Sequence, residues 1–381
     1  MFKRIFAALL AASLLTALLP RAAAAEVEIP APSAVLMDAA TGTVLAEKNA
    51  HERLAPASVT KIMTLLLVME ALDEGRISMD DTVTASEAAA AKGGSQVYLE
   101  VGERMSMDEM LKSVVVSSAN DCATALAEHV AGSEAAFVER MNARAAELGM
   151  HETHFVNCTG LDDTPDAAEH LTSAYDIAVM SRELLKHERI RSYTTIWMDT
   201  VRGGRFGLTN TNKLVRFYEG TTGLKTGYTS SAGHCLSASA ERDGLELIAV
   251  VLHCASSADR FTSAKALLNY GFANFALVRP EPEEALTPLR VRLGTSEKLT
   301  PVLRDSAPLL TKKGAQIEKT VSLPEQIDAP VAAGQQLGTL TLTADGEVLA
   351  ELALIAPETV ERLSWWQLTT RLLRRLCMAG E

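Results

Sequence analysis

The sequence contains few cysteines, and its histidines lack the spacing of a common metal site. Five cysteines in 381 residues are too few and too scattered for a disulfide scaffold. We expect the cysteines to be small buried thiols. The alternative is a single disulfide bridge, for example between Cys235 and Cys254. His151 and His154 lie at i and i+3, whereas the H-E-x-x-H spacing places two ligands on one helix face. We therefore expect no metal and no other cofactor.

Positive charge is also scarce. The chain has 36 lysines and arginines against 48 aspartates and glutamates, which gives a formal net charge of −12. This sign opposes binding to nucleic acid phosphates. With 381 residues, of which 48% are hydrophobic, the chain is long enough to bury a full core and to form more than one domain. These values indicate a globular protein that does not bind nucleic acid.

The N-terminus lacks an apolar run long enough to span a membrane easily. It has a basic start, an apolar run over residues 5–19 that Pro20 ends, and small residues ahead of Glu26. This pattern is typical of a cleaved secretory signal peptide, which we assign to residues 1–25. An uncleaved membrane anchor is the alternative, although the run is short for one. In either case we expect the protein to be exported.

Residues 26–277 follow the order strands, helices, strands. Two strand-like runs flank a turn at residues 40–42, and helical patterns such as MDEMLKSVVVSSANDCATALAEHV come next. The run GHCLSASAERDGLELIAVVLHCA then has the pattern of a hairpin about Asp243-Gly244, a favoured two-residue turn. This order predicts an α/β fold of the α+β type, in which a mostly antiparallel sheet is packed by helices.

Residues 278–357 have a different pattern of short alternating runs. The stretch GTLTLTADGEVLAELALIA alternates polar and apolar residues on either side of a second hairpin turn at Asp345-Gly346. The section therefore predicts a small all-β domain.

The tail, residues 358–381, has a helical pattern with two contrasting sides. One side is apolar and contains Trp365, Trp366, Leu372, Leu373, Leu376 and Cys377. The other side is polar and contains Ser364, Gln367, Arg371, Arg374 and Arg375. Tryptophans opposed by arginines predict a helix at the surface of an anionic membrane, here the outer face of the cytoplasmic membrane. Docking of the tryptophans on the protein's own surface is the alternative.

The stretch APASVTKIMTLLLVMEAL, residues 55–72, places Lys61 one helical turn after Ser58. The apolar series predicts a core helix whose first turn, opened by Pro56, lies at the edge of a cleft. Side chains at i and i+3 share a helix face. A partly desolvated lysine near a helix N-terminus has a lowered pKa and can act as a general base for a neighbouring serine. The alternative is a capping serine and a lysine that reaches solvent.

Two further motifs favour a catalytic site. Ser118 and Asn120 form an S-x-N motif at the junction between two apolar helical runs, which suits polar side chains turned into a cleft. The K-T-G motif at residues 225–227 is expected to begin a strand, where Gly227 would let a substrate backbone lie close. The alternative for Lys225 is a solvated lysine in a turn.

S-x-x-K, S-x-N and K-T-G begin at residues 58, 118 and 225, and this order resembles that of the serine penicillin-recognising enzymes. The chain is most similar to the low-molecular-mass D-alanyl-D-alanine carboxypeptidases, also called penicillin-binding proteins. Further similarity lies in DAATGTVLAEKNAHERLAPASVTKIMT, GGSQVYLEVGE, HFVNCTGLDD, HLTSAYD and SADRFTSAKALLNYGF. The resemblance implies a β-lactamase/transpeptidase-like catalytic domain, a small β domain and an amphipathic anchor.

The resemblance also implies acyl transfer through a covalent intermediate. Ser58 would attack the carbonyl between the two terminal D-alanines of a peptidoglycan stem peptide, and Lys61 would take its proton. Ser118, hydrogen-bonded to Lys61 and Lys225, would pass a proton to the departing D-alanine. Asn120 would hold the substrate amide and orient Lys61.

The substrate-binding groups follow from the same resemblance. The backbone N–H groups of Ser58 and Tyr228 would hold the oxyanion. Lys225, Thr226 and Arg260 would meet the terminal carboxylate of the substrate. A β-lactam would acylate Ser58 similarly but leave slowly. Some carboxypeptidases have histidine at the position of Tyr228, so the resemblance implies the activity but not the substrate preference or the pH profile of those enzymes.

Three other functions share parts of this pattern. A class A β-lactamase also needs a deacylating glutamate in an E-x-x-L-N setting, which EHLT at residues 169–172 does not provide. A transpeptidase or endopeptidase differs in the acceptor that reaches the acyl-enzyme. A non-catalytic, membrane-bound wall-binding scaffold would not need an intact set of Ser58, Lys61, Ser118, Asn120 and Lys225.

Overall fold

The computed structural model describes residues 28–378, which form two compact units. The first unit extends to Gly271 but excludes the turn Asp243–Leu245. The second unit contains that turn and the chain from Phe272 onward. The predicted signal peptide, residues 1–25, lies outside the described residues.

The first unit combines a five-stranded sheet, two small two-stranded sheets and a group of helices. Its strands are β1 Ser33–Asp38, β2 Val44–Lys48, β3 Thr82–Thr84, β4 Arg104–Ser106, β5 Met198–Val201, β6 Phe206–Thr209, β7 Thr221–Thr229, β8 Gly233–Arg242 and β9 Leu245–Cys254. Its α-helices are α1 Lys61–Asp73, α2 Glu87–Ala90, α3 Met107–Val116, α4 Asn120–Ala131, α5 Glu134–Glu147, α6 Ala174–Leu185, α7 Glu188–Thr194, α8 Leu214–Phe217 and α9 Ser257–Asn274. Short 3₁₀ helices lie at Ala57–Thr60 and Ala167–Glu169.

Five strands form the main sheet in the order β2-β1-β9-β8-β7. The pairs β1–β2, β1–β9 and β7–β8 are antiparallel. Strand β1 is buried at all six positions, and α6 packs against both β1 and β8. An antiparallel sheet covered by helices confirms the predicted fold class.

Helix α1 runs through the centre of the first unit. Residues 61–69 are all buried, because the sequence KIMTLLLVM presents apolar side chains on nearly every side. The helix packs against α4, α5 and α6. The prediction of a core helix is confirmed, and its N-terminus holds Lys61.

Both predicted hairpin turns are confirmed. Asp243 and Gly244, between β8 and β9, have φ values of 53° and 82°. Asp345 and Gly346 have φ values of 51° and 83°. Positive φ at both central residues is the type I′ geometry that Asp-Gly favours.

The second unit is built mainly from short strands. These are β10 Phe275–Val278, β11 Leu289–Arg292, β12 Lys298–Leu299, β13 Val302–Leu303, β14 Leu309–Lys312, β15 Ile317–Ser322, β16 Gln326–Asp328, β17 Gln336–Ala344 and β18 Glu347–Ile355. They form a four-stranded sheet, β13-β18-β17-β15, a three-stranded sheet, β12-β11-β16, and the pair β10-β14. Small apolar cores lie around Leu340 and Val291, so the all-β prediction is confirmed.

The predicted tail helix is present as α10, Trp365–Met378. Ser364 and Gln367 exchange hydrogen bonds at its start, in the arrangement of a capping box. The side chains of Trp365 and Trp366 are each 83% exposed. Among residues 28–378, no helix has both the length and the apolarity needed to cross a bilayer.

The cysteines of the first unit are free thiols in the core. The buried and unpaired side chains are those of Cys122, Cys158, Cys235 and Cys254. For these four residues the prediction of small buried thiols is confirmed, and Cys235 and Cys254 form no bridge.

Candidate active site

Ser58 lies in a 3₁₀ turn, Ala57–Thr60, that leads directly into α1. In a 3₁₀ helix the side chains at i and i+3 are eclipsed, so Ser58 and Lys61 point the same way. Lys61 Nζ donates a hydrogen bond of 2.9 Å to Ser58 Oγ. The predicted pairing of the two residues is therefore present, with a tighter first turn than a regular α-helix.

Lys61 is fully buried. Its Nζ also donates a 2.9 Å hydrogen bond to the carbonyl of Thr159. Burial lowers the pKa of Lys61 from 10.5 to about 7, and the carboxylate of Asp121 offsets only part of this effect. Near neutral pH a large fraction of the amine is therefore unprotonated and able to accept a proton from Ser58.

The loop that supplies the Thr159 carbonyl was not among the residues singled out from the sequence. Asn157 Oδ1 accepts hydrogen bonds from the backbone N–H groups of Thr159 and Gly160, at 3.1 and 2.7 Å. Gly160 has a φ of 81°, and a Cβ at this position would lie 1.9 Å from the carbonyl oxygen of Ala57. Only glycine fits there. The Asn-x-Thr-Gly pattern was the available signal, because it favours a tight turn.

The S-x-N motif lies between helices, as predicted. Helix α3 ends at Val116 and α4 begins at Asn120, while Ser118 has a φ of 63° and is 4% exposed. The backbone N–H of Asn120 donates to the Ser95 carbonyl, and its Nδ2 donates to the Gly93 carbonyl, both at 2.7 Å. Asn120 Oδ1 is buried and has no hydrogen-bond partner. This oxygen is free to accept a hydrogen bond from a ligand.

The K-T-G motif lies within β7, Thr221–Thr229, and not at its start as predicted. Lys225 is 1% exposed, which excludes the solvated alternative, and its Nζ donates a 2.8 Å hydrogen bond to the Thr226 carbonyl. Burial, and then the charges of Lys61 and Arg260, hold the pKa of Lys225 well below its usual range. The hydroxyl of Thr226 donates to Thr211 Oγ1 at 2.6 Å.

Gly227 packs closely against the turn that carries Ser58. A Cβ at Gly227 would lie 2.7 Å from the carbonyl oxygen of Pro56 and 3.0 Å from the backbone nitrogen of Ser58. The 3₁₀ turn therefore lies directly against Gly227 on the side where a Cβ would point. The glycine brings β7, and with it the backbone of Tyr228, close to the backbone of Ser58.

Two of the expected side-chain bonds are not formed between these described residues. The hydrogen bonds of Lys61 Nζ go to Ser58 and Thr159, and that of Lys225 Nζ goes to Thr226, so Ser118 does not bridge the two amines. Asn120 uses its amide nitrogen on a backbone carbonyl and does not contact Lys61. Side-chain bonds in a site without substrate are often long and tighten only in the complex.

Arg260 lies beside β7. It is 9% exposed, and its Nη1 donates to the carbonyl of Gly227 at 3.0 Å and, more weakly, to that of Cys235 at 3.4 Å. Its Nε is buried without a partner. The side chain of Tyr228 is 60% exposed and stacks on His234 with ring centroids 4.4 Å apart. All the predicted site residues thus lie in the first unit. Direct contacts join Ser58 to Lys61, and Arg260 and the Ser58 turn to Gly227.

We expect Lys61→Met to be more stable than the wild type at pH 7, with a difference that shrinks toward pH 10.5. Between these values the unfolded chain binds a proton at Lys61 and the folded chain does not, so this residue alone contributes a rise in wild-type stability of about 1.4 kcal/mol per pH unit. Methionine lacks this dependence. The measurement is urea unfolding followed by the fluorescence of Trp197, in the first unit, from pH 7 to 10.

Lys213→Met is the matched control, because Lys213 is exposed in the same unit. It should keep the pH dependence of the wild type. A stability difference between Lys61→Met and the wild type that is constant over this pH range would contradict a lowered pKa at Lys61.

Two family models match the chain. One is described as D-alanyl-D-alanine carboxypeptidase and matches residues 20–256, and the other is described as Penicillin-binding protein 5, C-terminal domain, and matches residues 283–362. The chain is 42% identical over 375 residues to D-alanyl-D-alanine carboxypeptidase DacF of Bacillus subtilis, which covers 94% of this chain and 95% of that protein. It is 34% identical to DacC of Escherichia coli, over 90% of this chain and 88% of that protein.

Solved structures give the same result. The crystal structure of penicillin binding protein 5 from Haemophilus influenzae has a TM-score of 0.73 and 30% identity, covering 88% of this chain and 98% of that chain. Penicillin-binding protein D2 from Listeria monocytogenes, in an ampicillin-bound form, has a TM-score of 0.58 and 30% identity, covering 64% of this chain and 98% of that one. The chain belongs to the D-alanyl-D-alanine carboxypeptidase family, the serine peptidases that include the low-molecular-mass penicillin-binding proteins.

Proposed function

We propose that Ser58 is the nucleophile with which this chain removes the terminal D-alanine from peptidoglycan stem peptides. The observation that carries the proposal is the buried amine of Lys61, 2.9 Å from Ser58 Oγ and with a pKa of about 7. Such an amine takes the proton of the serine hydroxyl as Ser58 Oγ attacks the carbonyl between the two D-alanines. The tetrahedral intermediate formed by this attack then loses D-alanine, as the bond to its nitrogen breaks. An ester between Ser58 and the shortened peptide remains, and water hydrolyses it.

The oxyanion of this step would lie between two backbone N–H groups. One belongs to Ser58, in the 3₁₀ turn, and the other to Tyr228. The close packing of Gly227 on the nitrogen of Ser58 supports this pairing, because it brings the two backbones together. Removal of one such donor typically lowers the rate by roughly 10² to 10³.

Proton transfer to the departing D-alanine amine is assigned to Ser118. It is the hydroxyl of the S-x-N loop, which lies between α3 and α4 and has a left-handed φ of 63° at Ser118. Asn120 would accept a hydrogen bond from a substrate amide through its unpartnered Oδ1. A buried acceptor without a partner is unfavourable, so a substrate N–H at this point gains a hydrogen bond at little further desolvation cost.

The terminal carboxylate of the substrate would lie near Lys225, Thr226 and Arg260. Lys225 lacks a carboxylate partner, and burial disfavours its charged form. An arriving carboxylate favours the protonated amine, since opposite charges stabilise each other. Substrate binding is therefore expected to be accompanied by proton uptake at Lys225.

Ser58→Ala should release no D-alanine from an acyl-D-Ala-D-Ala peptide and should form no covalent adduct with benzylpenicillin, because the nucleophile is gone. The measurement is the intact mass of the protein over time, with D-alanine assayed in parallel. Ser133→Ala is the matched control, because Ser133 caps α5 outside the site and its variant should still form the adduct. D-Alanine release by folded Ser58→Ala would overturn the assignment.

Acylation by a chromogenic β-lactam should slow as the pH falls below about 7. Protonated Lys61 cannot accept the proton of Ser58, so the rate constant should fall roughly tenfold per pH unit below the pKa. Stopped-flow measurements from pH 5 to 8 test this dependence. A rate constant that stays level across that range would rule out Lys61 as the base.

We also propose that the chain is exported through cleavage after residue 25 and held at the outer face of the cytoplasmic membrane by α10. The exposure of Trp365 and Trp366 supports this proposal, because docking on the second unit would have covered them. Arg371, on the polar side, donates to the carbonyls of Gly294 and Thr295 within that unit. The apolar side is therefore left for the lipid interface.

Trp365→Ala combined with Trp366→Ala should abolish sedimentation with anionic liposomes, because the two rings supply most of the insertable area at the start of α10. The matched control is Thr369→Ala with Thr370→Ala, two exposed positions of the same helix. Carboxypeptidase activity in solution should be the same in all variants. Unchanged sedimentation of the tryptophan variant would refute membrane attachment through this face.

A further inference from the structure

A line of hydrogen bonds runs through the core behind Ser58. The backbone N–H of Val156 donates to His170 Nδ1 at 3.1 Å. His170 Nε2 lies 2.7 Å from Thr60 Oγ1, and Thr60 Oγ1 donates to the carbonyl oxygen of Ala57 at 2.8 Å. His170 is 4% exposed and Thr60 is fully buried. The line therefore connects a distant loop to the turn that carries Ser58.

The direction of each bond in this line follows from its donors. A backbone N–H can only donate, so His170 Nδ1 is an acceptor and the proton of the neutral ring is on Nε2. Nε2–H then donates to Thr60 Oγ1, and the hydroxyl hydrogen goes to Ala57. Burial lowers the pKa of His170 to about 4, which agrees with a neutral ring.

The line of hydrogen bonds ends at the peptide group between Ala57 and Ser58. The carbonyl of Ala57 and the N–H of Ser58 belong to the same peptide bond. A hydrogen bond accepted by the carbonyl polarises the peptide and strengthens its N–H as a donor. Ala57 has a φ of 48°, which is unfavourable for alanine and has to be held by surrounding contacts.

We propose that His170 and Thr60 are positioning residues, which orient and polarise the Ala57–Ser58 peptide group so that its N–H stabilises the oxyanion. The inference rests on the proposed function, in which the Ser58 N–H is one of the two oxyanion donors. The two side chains contact neither substrate nor Ser58 Oγ in this account. They act through the peptide bond.

The fold around this line is secured by other contacts. Leu54 and Thr172 exchange backbone hydrogen bonds of 2.7 and 2.9 Å, and His154 and Leu171 exchange bonds of 2.8 and 3.1 Å. These ties hold the chain on either side of His170 independently of its ring. Loss of the Thr60 hydroxyl should therefore leave the site assembled while it weakens the donor.

Thr60→Val removes the hydroxyl and keeps the shape of the side chain. Acylation by a chromogenic β-lactam, followed by stopped-flow absorbance over a range of drug concentrations, separates the dissociation constant of the first complex from the acylation rate constant. We expect the rate constant to fall roughly tenfold or more and the dissociation constant to stay level, because the oxyanion forms only in the transition state. Thr60→Ser restores the hydroxyl and should recover most of the rate.

Thr172→Val is the control for a merely structural effect. Thr172 is a buried threonine near His170 in the chain, and its hydroxyl pairs with Thr153. This variant should lose stability without loss of the acylation rate constant. An equal loss of rate in Thr172→Val and Thr60→Val would overturn the proposal.

His170→Gln tests the other end of the line, because a glutamine amide nitrogen can replace the Nε2 donor. Its rate constant should be closer to that of the wild type than that of His170→Leu. The combination of Thr60→Val and His170→Leu should be no slower than Thr60→Val alone, since both act on one peptide group. Additive losses would show independent roles and overturn the relay.

The stretching frequency of the ester carbonyl in the acyl-enzyme reports the strength of the hydrogen bonds from the oxyanion donors. Difference infrared spectra with a β-lactam labelled with ¹³C at its reactive carbonyl should show the band at higher frequency in Thr60→Val than in the wild type and Thr60→Ser. An unchanged band together with an unchanged rate would refute polarisation of the peptide. Absence of acylation in the wild type would instead refute the proposed function, and the two failures are therefore distinguishable.

Discussion

Backbone segments pack closely on the strained 3₁₀ turn at Ala57–Thr60. This packing determines the positions of the other residues of the active site. Ala57 adopts a left-handed conformation, and two glycines approach it from separate parts of the chain. A side chain on Gly160 would collide with the Ala57 carbonyl, and one on Gly227 would crowd Pro56 and Ser58. Because glycines stand at both contacts, the loop of Thr159 and strand β7 are each held close to the turn that leads into α1.

Several groups whose burial lowers the stability of the folded protein lie in this site. Within residues 28–378, Lys61 and Lys225 are removed from water without forming an ion pair, and Asn120 Oδ1 and Arg260 Nε are buried without hydrogen bonds. Each of these lowers the stability of the empty protein. The apolar length of α1 and the sheet around β1 offset them. Substrate-binding sites commonly have this character, since groups left unsatisfied in the free protein can be satisfied by a ligand.

Local sequence patterns predicted much of the fold and the identity of the site residues, but less of their contacts. The apolar series after Lys61 and the two Asp-Gly turns specify local structure, and the structure agrees with them. The prediction that K-T-G begins a strand was wrong, because β7 already pairs with β8 from Thr221. The close packing of Gly227 on the turn at Ala57 was not predicted, because the two lie 170 residues apart in the chain. The Asn-x-Thr-Gly pattern indicates a tight turn at Thr159, but it does not show that the Thr159 carbonyl accepts a hydrogen bond from Lys61, since the two residues are 98 positions apart in the chain.

The four buried cysteines can report local unfolding of the first unit. Burial raises the pKa of Cys235 to about 11 and that of Cys254 to about 12, and those of Cys122 and Cys158 also lie above their usual range. The thiolate is the reactive form of cysteine, so these four thiols react very slowly with alkylating reagents while the unit is folded. They lie in different layers of the unit, on α4, in the loop after α5, and on β8 and β9. The order in which an alkylating reagent modifies them would therefore map which layers of the fold separate first.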